Sequence, residues 1–100
     1  MTNVFDNILG LIGNTPLVRL NSVTKDIPAK VYAKIESYNP GHSTKDRIAL
    51  HIIEAAEEKG LLTPGATIVE TTSGNTGFSI AMVSLIKGYK CILSVSDRTQ

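Results

Sequence analysis

A single cysteine, Cys91, occurs in the whole chain, so neither an internal disulfide nor a cysteine-based metal site can form within one copy. It lies in an apolar stretch and reads as a small buried hydrophobe rather than a nucleophile. Tryptophan is absent and aromatics make up 5% of the residues, which leaves little for stacking on nucleobases. No charge of one sign dominates. The formal net charge of +1 is too weak a field to draw in nucleic acid or an anionic membrane surface. No stretch approaches the roughly 20 apolar residues that span a bilayer. The start, Met1 to Asp6, lacks the basic region and apolar run of a secretory signal. A cytoplasmic setting is expected, with no metal, nucleic-acid or membrane partner.

What is present is the composition of a globular chain, 42% hydrophobic and 19% charged over 100 residues, enough for one small domain. There is no repeat, linker or low-complexity tract. Residues 7–16 mix apolar residues with glycines and end on a turn signal at Thr15-Pro16. Leu17 to Leu20 predicts a short strand, Asn21 to Pro28 a polar loop, and Lys30 to Glu36 a half-buried strand by its alternation.

Asn39-Pro40-Gly41 breaks that strand and a helix follows. Ser43 with Asp46 fits a capping box, Asp standing for the usual Glu or Gln. Ala49, Ile52, Ile53 and Ala56 form one apolar stripe. Gly60 stops the helix, and Thr67 to Thr71 predicts a third strand. A second helix is expected from about Thr76 to Lys87, with Phe78, Ala81, Met82 and Leu85 on one face. Ile80, Val83 and Ile86 lie elsewhere round it, which predicts burial on more than one side. Gly88 closes it, and Lys90 to Val95 predicts a fourth strand. The order β-α-β-α-β predicts an α/β fold with a parallel sheet and helices on its faces.

Two segments carry chemistry. Lys45 falls at the start of the first helix, where the helix dipole disfavours a cation, and a neutral lysine amine is the form that condenses with an aldehyde. From position alone an ordinary lysine with its head in solvent is the commoner case. Thr72-Ser-Gly-Asn-Thr-Gly77 joins a strand end to a helix start, where open α/β sheets bind ligands. Free backbone N–H groups there, with the Ser73 and Thr76 hydroxyls, suit a carboxylate or phosphate. A tight turn with a good cap would look the same. The segment is neither the dinucleotide fingerprint nor a Walker A loop. His42 borders the lysine segment and could touch a ligand, whereas His51 reads as a boundary residue. Glu54, Glu57 and Glu58 read as a solvated helix face.

Taken together, these segments resemble the cysteine synthase and cystathionine β-synthase family, the β-replacement branch of the fold-type-II pyridoxal-phosphate enzymes. Three stretches carry the resemblance in the family's order: Ile12 to Leu20 (IGNTPLVRL), Asn39 to Ile48 (NPGHSTKDRI) and Glu70 to Gly77 (ETTSGNTG). Pro64-Gly65 and Gly88 to Ile92 also look like family segments. The resemblance implies a tryptophan-synthase-β-like fold and pyridoxal 5'-phosphate as cofactor. Lys45 matches the Schiff-base lysine, which also removes the substrate α-proton. Asn75 matches the residue that hydrogen-bonds the cofactor's ring hydroxyl. Thr72, Ser73, Asn75 and Thr76 match the loop that grips the substrate carboxylate. The implied reaction replaces the β-substituent of an activated serine by a thiol or sulfide.

The expected activity is therefore cysteine formation from O-acetylserine and sulfide, with cystathionine formation from serine and homocysteine as the alternative. A non-catalytic fragment that binds an anion or a partner chain is the alternative of another class. The lysine segment differs from that of serine and threonine dehydratases, which reads Ser-Phe-Lys. Thr44 stands where the family usually has Val, Thr71 where it commonly has Pro, and His42 where the residue is more often small. Family members are several times longer. Their phosphate-holding loop and the residue facing the pyridine nitrogen fall past Gln100. Residues 1–100 are thus expected to be an amino-terminal segment, inactive alone, of an enzyme that is a homodimer at full length.

Overall fold

A computed structural model describes residues 3–72 and 74–96. Two α-helices form among them, α1 (Lys45–Glu58) and α2 (Asn75–Lys87). The four strands are β1 (Leu17–Arg19), β2 (Tyr32–Lys34), β3 (Thr67–Thr71) and β4 (Lys90–Ser94). Single turns of 3-10 helix at Ile8–Leu11, Ser22–Thr24 and Glu36–Tyr38 fill parts of the loops.

The α/β class with a parallel sheet and packed helices is as expected, but β2 has a different partner. β3 and β4 pair in parallel, Ile68 opposite Cys91 and Glu70 opposite Leu93, with α2 as the crossover. β2 instead pairs antiparallel with β1, Val18 opposite Ala33. Among the described residues the parallel unit is therefore β3-α2-β4, and the β1-β2 pair is a separate small sheet. A strand's pattern shows that one face is buried; it does not say which neighbour shares its edge.

Both helices end in the way their glycines foretell. Gly60 adopts a left-handed φ of 72°, while the Gly60 and Leu61 N–H groups bond back to Glu57 O and Ala56 O. Gly88 does the same at φ 84°, with Tyr89 N–H donating to Ser84 O. In each case the reversed residue satisfies carbonyls that the helix end would leave open.

The helices pack on each other around Ala49, Ile53, Ile80 and Val83, all buried, with Ile12, Leu50, Ile68, Met82 and Cys91 partly buried against them. Burying a side chain the size of Ile53 or Val83 contributes about 1.5–3 kcal/mol. The expected stripe of α1 holds at Ala49 and Ile53, but Ile52 is 55% exposed. On α2 the buried residues are Gly77, Ser79, Ile80, Val83 and Ser84, while Phe78 and Leu85 are 57% and 77% exposed. A helix apolar on nearly every side has no single stripe for periodicity to find. Cys91 is half-buried against the core, as its apolar strand suggests.

The two helices are tied at both ends. At the start, the Ser79 hydroxyl donates to Asp46 Oδ1 at 2.6 Å. At the far end, Lys87 Nζ donates to Glu57 Oε1 at 2.9 Å and the Tyr89 hydroxyl donates to Glu57 Oε2 at 2.5 Å. Glu57 is therefore a bridge between helices rather than part of a solvated face. The Tyr89 hydroxyl and then Lys87 hold its carboxyl below the ordinary range. Tied in this way, α1 and α2 run side by side in the same sense, and their N-termini lie at the same end of the molecule.

Candidate active site

That shared end collects the residues singled out by sequence. Lys45 is the first residue of α1 and half-buried, and Ser43 Oγ accepts its backbone N–H at 3.1 Å. Asn75 and Thr76 open α2, Asn75 exposed and Thr76 half-buried. Thr72 sits between the end of β3 and that helix. Ser73 lies outside the described residues.

The capping box expected at the start of α1 does not form. Thr44 occupies the cap with helical angles and without a side-chain bond. Asp46 does not turn back to Ser43; its Oδ2 accepts the Gly41 N–H at 2.5 Å, and its Oδ1 reaches across to Ser79. The carboxylate is fully buried. A negative group in the first helical turn is favoured by the dipole, but two donors from other segments, not a local cap, decide where it points.

Arg47, the next residue, is also committed elsewhere. Its guanidinium makes a paired contact with Glu36, Nε to Oε1 at 2.7 Å and Nη2 to Oε2 at 3.0 Å, and donates to Gly13 O and Thr15 Oγ1. Arg47, and then the Thr15 hydroxyl, hold the Glu36 carboxyl at about 2, well below its ordinary value. Buried Asn39 completes the network, accepting the Gly13 N–H at 2.8 Å and donating to Glu36. The loops at 13–15 and 36–39 are thereby fastened to the first turn of α1. The positive charge of Arg47 is paired with Glu36.

The lysine loop has an unusual shape. His42 has a φ of 67°, left-handed and costly for a residue with a Cβ, and it is exposed between Gly41 and Ser43. Gly41 leaves no room for a side chain, since an added Cβ would run into the Asp46 carboxylate.

The β3–α2 turn is equally close-packed, because a Cβ on Gly77 would collide with Thr72 Cγ2. Gly74 stands at the N-cap of α2 with φ 156° and offers no side chain to the first-turn N–H groups. No side chain among the described residues caps those donors, which leaves them open to an anion. Beside them the Thr72 hydroxyl is buried without a hydrogen-bond partner among the described residues. A buried hydroxyl left unpaired costs about 1–3 kcal/mol, which a bound acceptor or donor would recover.

Lys45 forms no ion pair among the described residues. A lysine amine, a carboxamide, an orphan hydroxyl and open backbone donors thus gather at one end of the helix pair. They suit a ligand with an aldehyde carbon, a ring hydroxyl and a carboxylate.

The chain belongs to the pyridoxal-phosphate dependent enzyme family, whose model matches residues 8–100. Pyridoxal phosphate is the cofactor of that family, and the donor set above fits it. Among curated proteins the chain is 50% identical over 99 residues to the cystathionine beta-synthase of Apis mellifera, covering 97% of this chain and 20% of that protein. It is 53% identical over 92 residues to the cysteine synthase of Staphylococcus aureus, covering 92% of this chain and 30% of that protein. Among solved structures, a hydrogen sulfide-producing enzyme from Fusobacterium nucleatum superposes with a TM-score of 0.91 at 43% identity, over 100% of this chain and 33% of that one. The chain therefore spans a third or less of the length of these relatives.

Sequence reasoning missed the supports of the site: Asp46, Ser79, Glu36 and Asn39. One signal was available for Ser79, a polar residue in an otherwise apolar helix. Asn39 read only as a strand breaker, although it is buried and fully bonded.

Proposed function

We propose that this chain supplies the lysine-bearing and carboxylate-binding parts of a β-replacement enzyme that makes cysteine from O-acetylserine and sulfide. The observation that carries it is the joining of the first turns of α1 and α2 by Asp46 and Ser79, which sets the Lys45 loop beside the start of α2. Lys45 would hold the cofactor through its aldehyde, and its Nζ would take the proton from the substrate Cα. Asn75 would orient the cofactor ring through its hydroxyl. Thr72, Ser73, Asn75 and Thr76 hold the substrate carboxylate, the open N–H groups of α2 adding to their grip. When bound, pyridoxal phosphate supplies the electron sink that allows an amino-acid Cα–H bond to break. The orphan Thr72 hydroxyl supports this reading, since it is the kind of group a substrate carboxylate would satisfy. A homodimer is proposed for the whole protein.

Serine with homocysteine is the second reading, favoured by the 50% identity to a cystathionine beta-synthase. The protein expressed from its complete reading frame, mixed with pyridoxal phosphate, should show the visible absorbance of lysine-bound cofactor and lose it on borohydride reduction. Lys45→Ala should abolish that band; an unchanged band would sink the assignment. O-acetylserine with sulfide, run against serine with homocysteine, decides between the substrates.

A further inference from the structure

The structure assigns a positioning role to Asp46 and Ser79: their buried hydrogen bond fixes Lys45 relative to the loop that opens α2. The inference rests on the proposed role of Lys45 as the cofactor lysine.

Among the described residues Asp46 is the only charged one that is fully buried, and neither of its side-chain hydrogen bonds serves the helix to which it belongs. One oxygen takes the N–H of Gly41 in the loop leading to Lys45; the other takes the hydroxyl of Ser79, one turn into α2 from Asn75. Three segments that converge on the candidate site therefore meet at one carboxylate. A buried carboxylate must keep its donors, because losing one leaves charge unsolvated in a low-dielectric interior. Its geometry is correspondingly inflexible. Any slide of α1 along α2 stretches the Ser79 bond, and any lift of the lysine loop stretches the Gly41 bond.

Apolar packing at Ala49, Ile53, Ile80 and Val83 holds the helices together, but it is non-directional and would tolerate a small slide. Ser79 lies at the buried interface beside Ile80, where an apolar side chain would pack at least as well. The hydroxyl is there for direction. Because Asp46 follows Lys45 directly, the bond that fixes one Cα fixes its neighbour across a rigid peptide.

The test uses the protein expressed from its complete reading frame and loaded with pyridoxal phosphate. Ser79→Ala, Asp46→Ala and the double variant are compared with Lys45→Ala. Two readouts are taken: the dissociation constant for pyridoxal phosphate, and the circular dichroism of the visible cofactor band per mole of bound cofactor. The second reports orientation in the site and is not moved by a loss of folded fraction. Ser79→Ala should weaken cofactor binding about tenfold, the low end of what a hydrogen bond to a charged group contributes. It should also at least halve the dichroism while the far-ultraviolet spectrum is unchanged. The double variant should be no worse than Asp46→Ala alone, because loss of the carboxylate already removes the Ser79 bond.

If Ser79→Ala leaves dichroism per bound cofactor unchanged, or the single effects simply add, the tether is refuted while the Lys45 assignment stands. If Lys45→Ala keeps the cofactor band, the assignment falls first and the tether with it.

Discussion

Replacing Gly41 by alanine tests the organisation of the lysine loop directly. An ideal methyl there would meet Asp46 Oδ1 first, and would lie 2.8 Å from Asp46 Cγ and 2.9 Å from Oδ2, where ordinary contact begins at 3.4 Å. The carboxylate or the loop must therefore yield by roughly 1 Å or more at Oδ1, the oxygen that also accepts the Ser79 hydroxyl, in a close-packed interior. Asp46 is fully buried and cannot swing into solvent. Overpacking of this kind costs about 1–3 kcal/mol, and weakening a hydrogen bond to a carboxylate adds part of another 1.5–3 kcal/mol, so about 3 kcal/mol is expected in total. Urea unfolding followed by far-ultraviolet circular dichroism reads this as a shift in midpoint at constant slope. The decisive comparison is the same methyl in an Asp46→Ala background. With the carboxylate gone, its extra cost should fall below about 1 kcal/mol. Full additivity of the two substitutions would refute the claim that Gly41 is glycine because of Asp46.

Further outcomes follow from other parts of the fold. Glu36 is held at about 2 in the folded chain against an ordinary 4.5, so its contribution to stability is complete above 4.5 and is lost as the pH falls toward 2. Glu36→Gln should flatten the fall in urea midpoint across that window, and an unchanged slope would show that the Arg47 contact is not kept in solution. Val83→Ala, at a fully buried core position, should cost about 1.5–3 kcal/mol by the same assay, and a loss under about 0.5 kcal/mol would contradict its place in the core. Gly88→Ala forces a Cβ into the left-handed region at φ 84° and should cost about 1–2 kcal/mol, with Gly88→Asn milder because asparagine tolerates that conformation better. Equal costs for Ala and Asn would point away from backbone strain.

The sheet shows where covering surface is needed. Along β3 and β4 alternate residues face α2, leaving Val69 and Ile92 on the other side at 67% and 58% exposure. A parallel sheet is ordinarily covered on both faces. The chain spans only a third or less of its relatives, whose remaining length offers material for the second face.

The sequence by itself determined what is local. Strand β3 spans the residues its pattern predicts, and both helices stop at their glycines, because turn conformations and backbone periodicity depend on neighbours a few positions away. The ordered segments around Lys45 and Asn75 were legible for a related reason: each is a short loop at a helix start, with its chemistry written in consecutive residues. Tertiary structure decided the rest. Whether β2 pairs with β1 or β3, and which side of α2 is buried, depends on surfaces that meet only after the chain has folded. Asp46 shows the limit most clearly. Local spacing assigned it to a cap beside Ser43, whereas its hydroxyl partner is 33 residues away on another helix. A buried carboxylate goes to the donors that desolvation leaves within reach, and those are set by packing rather than by position along the chain.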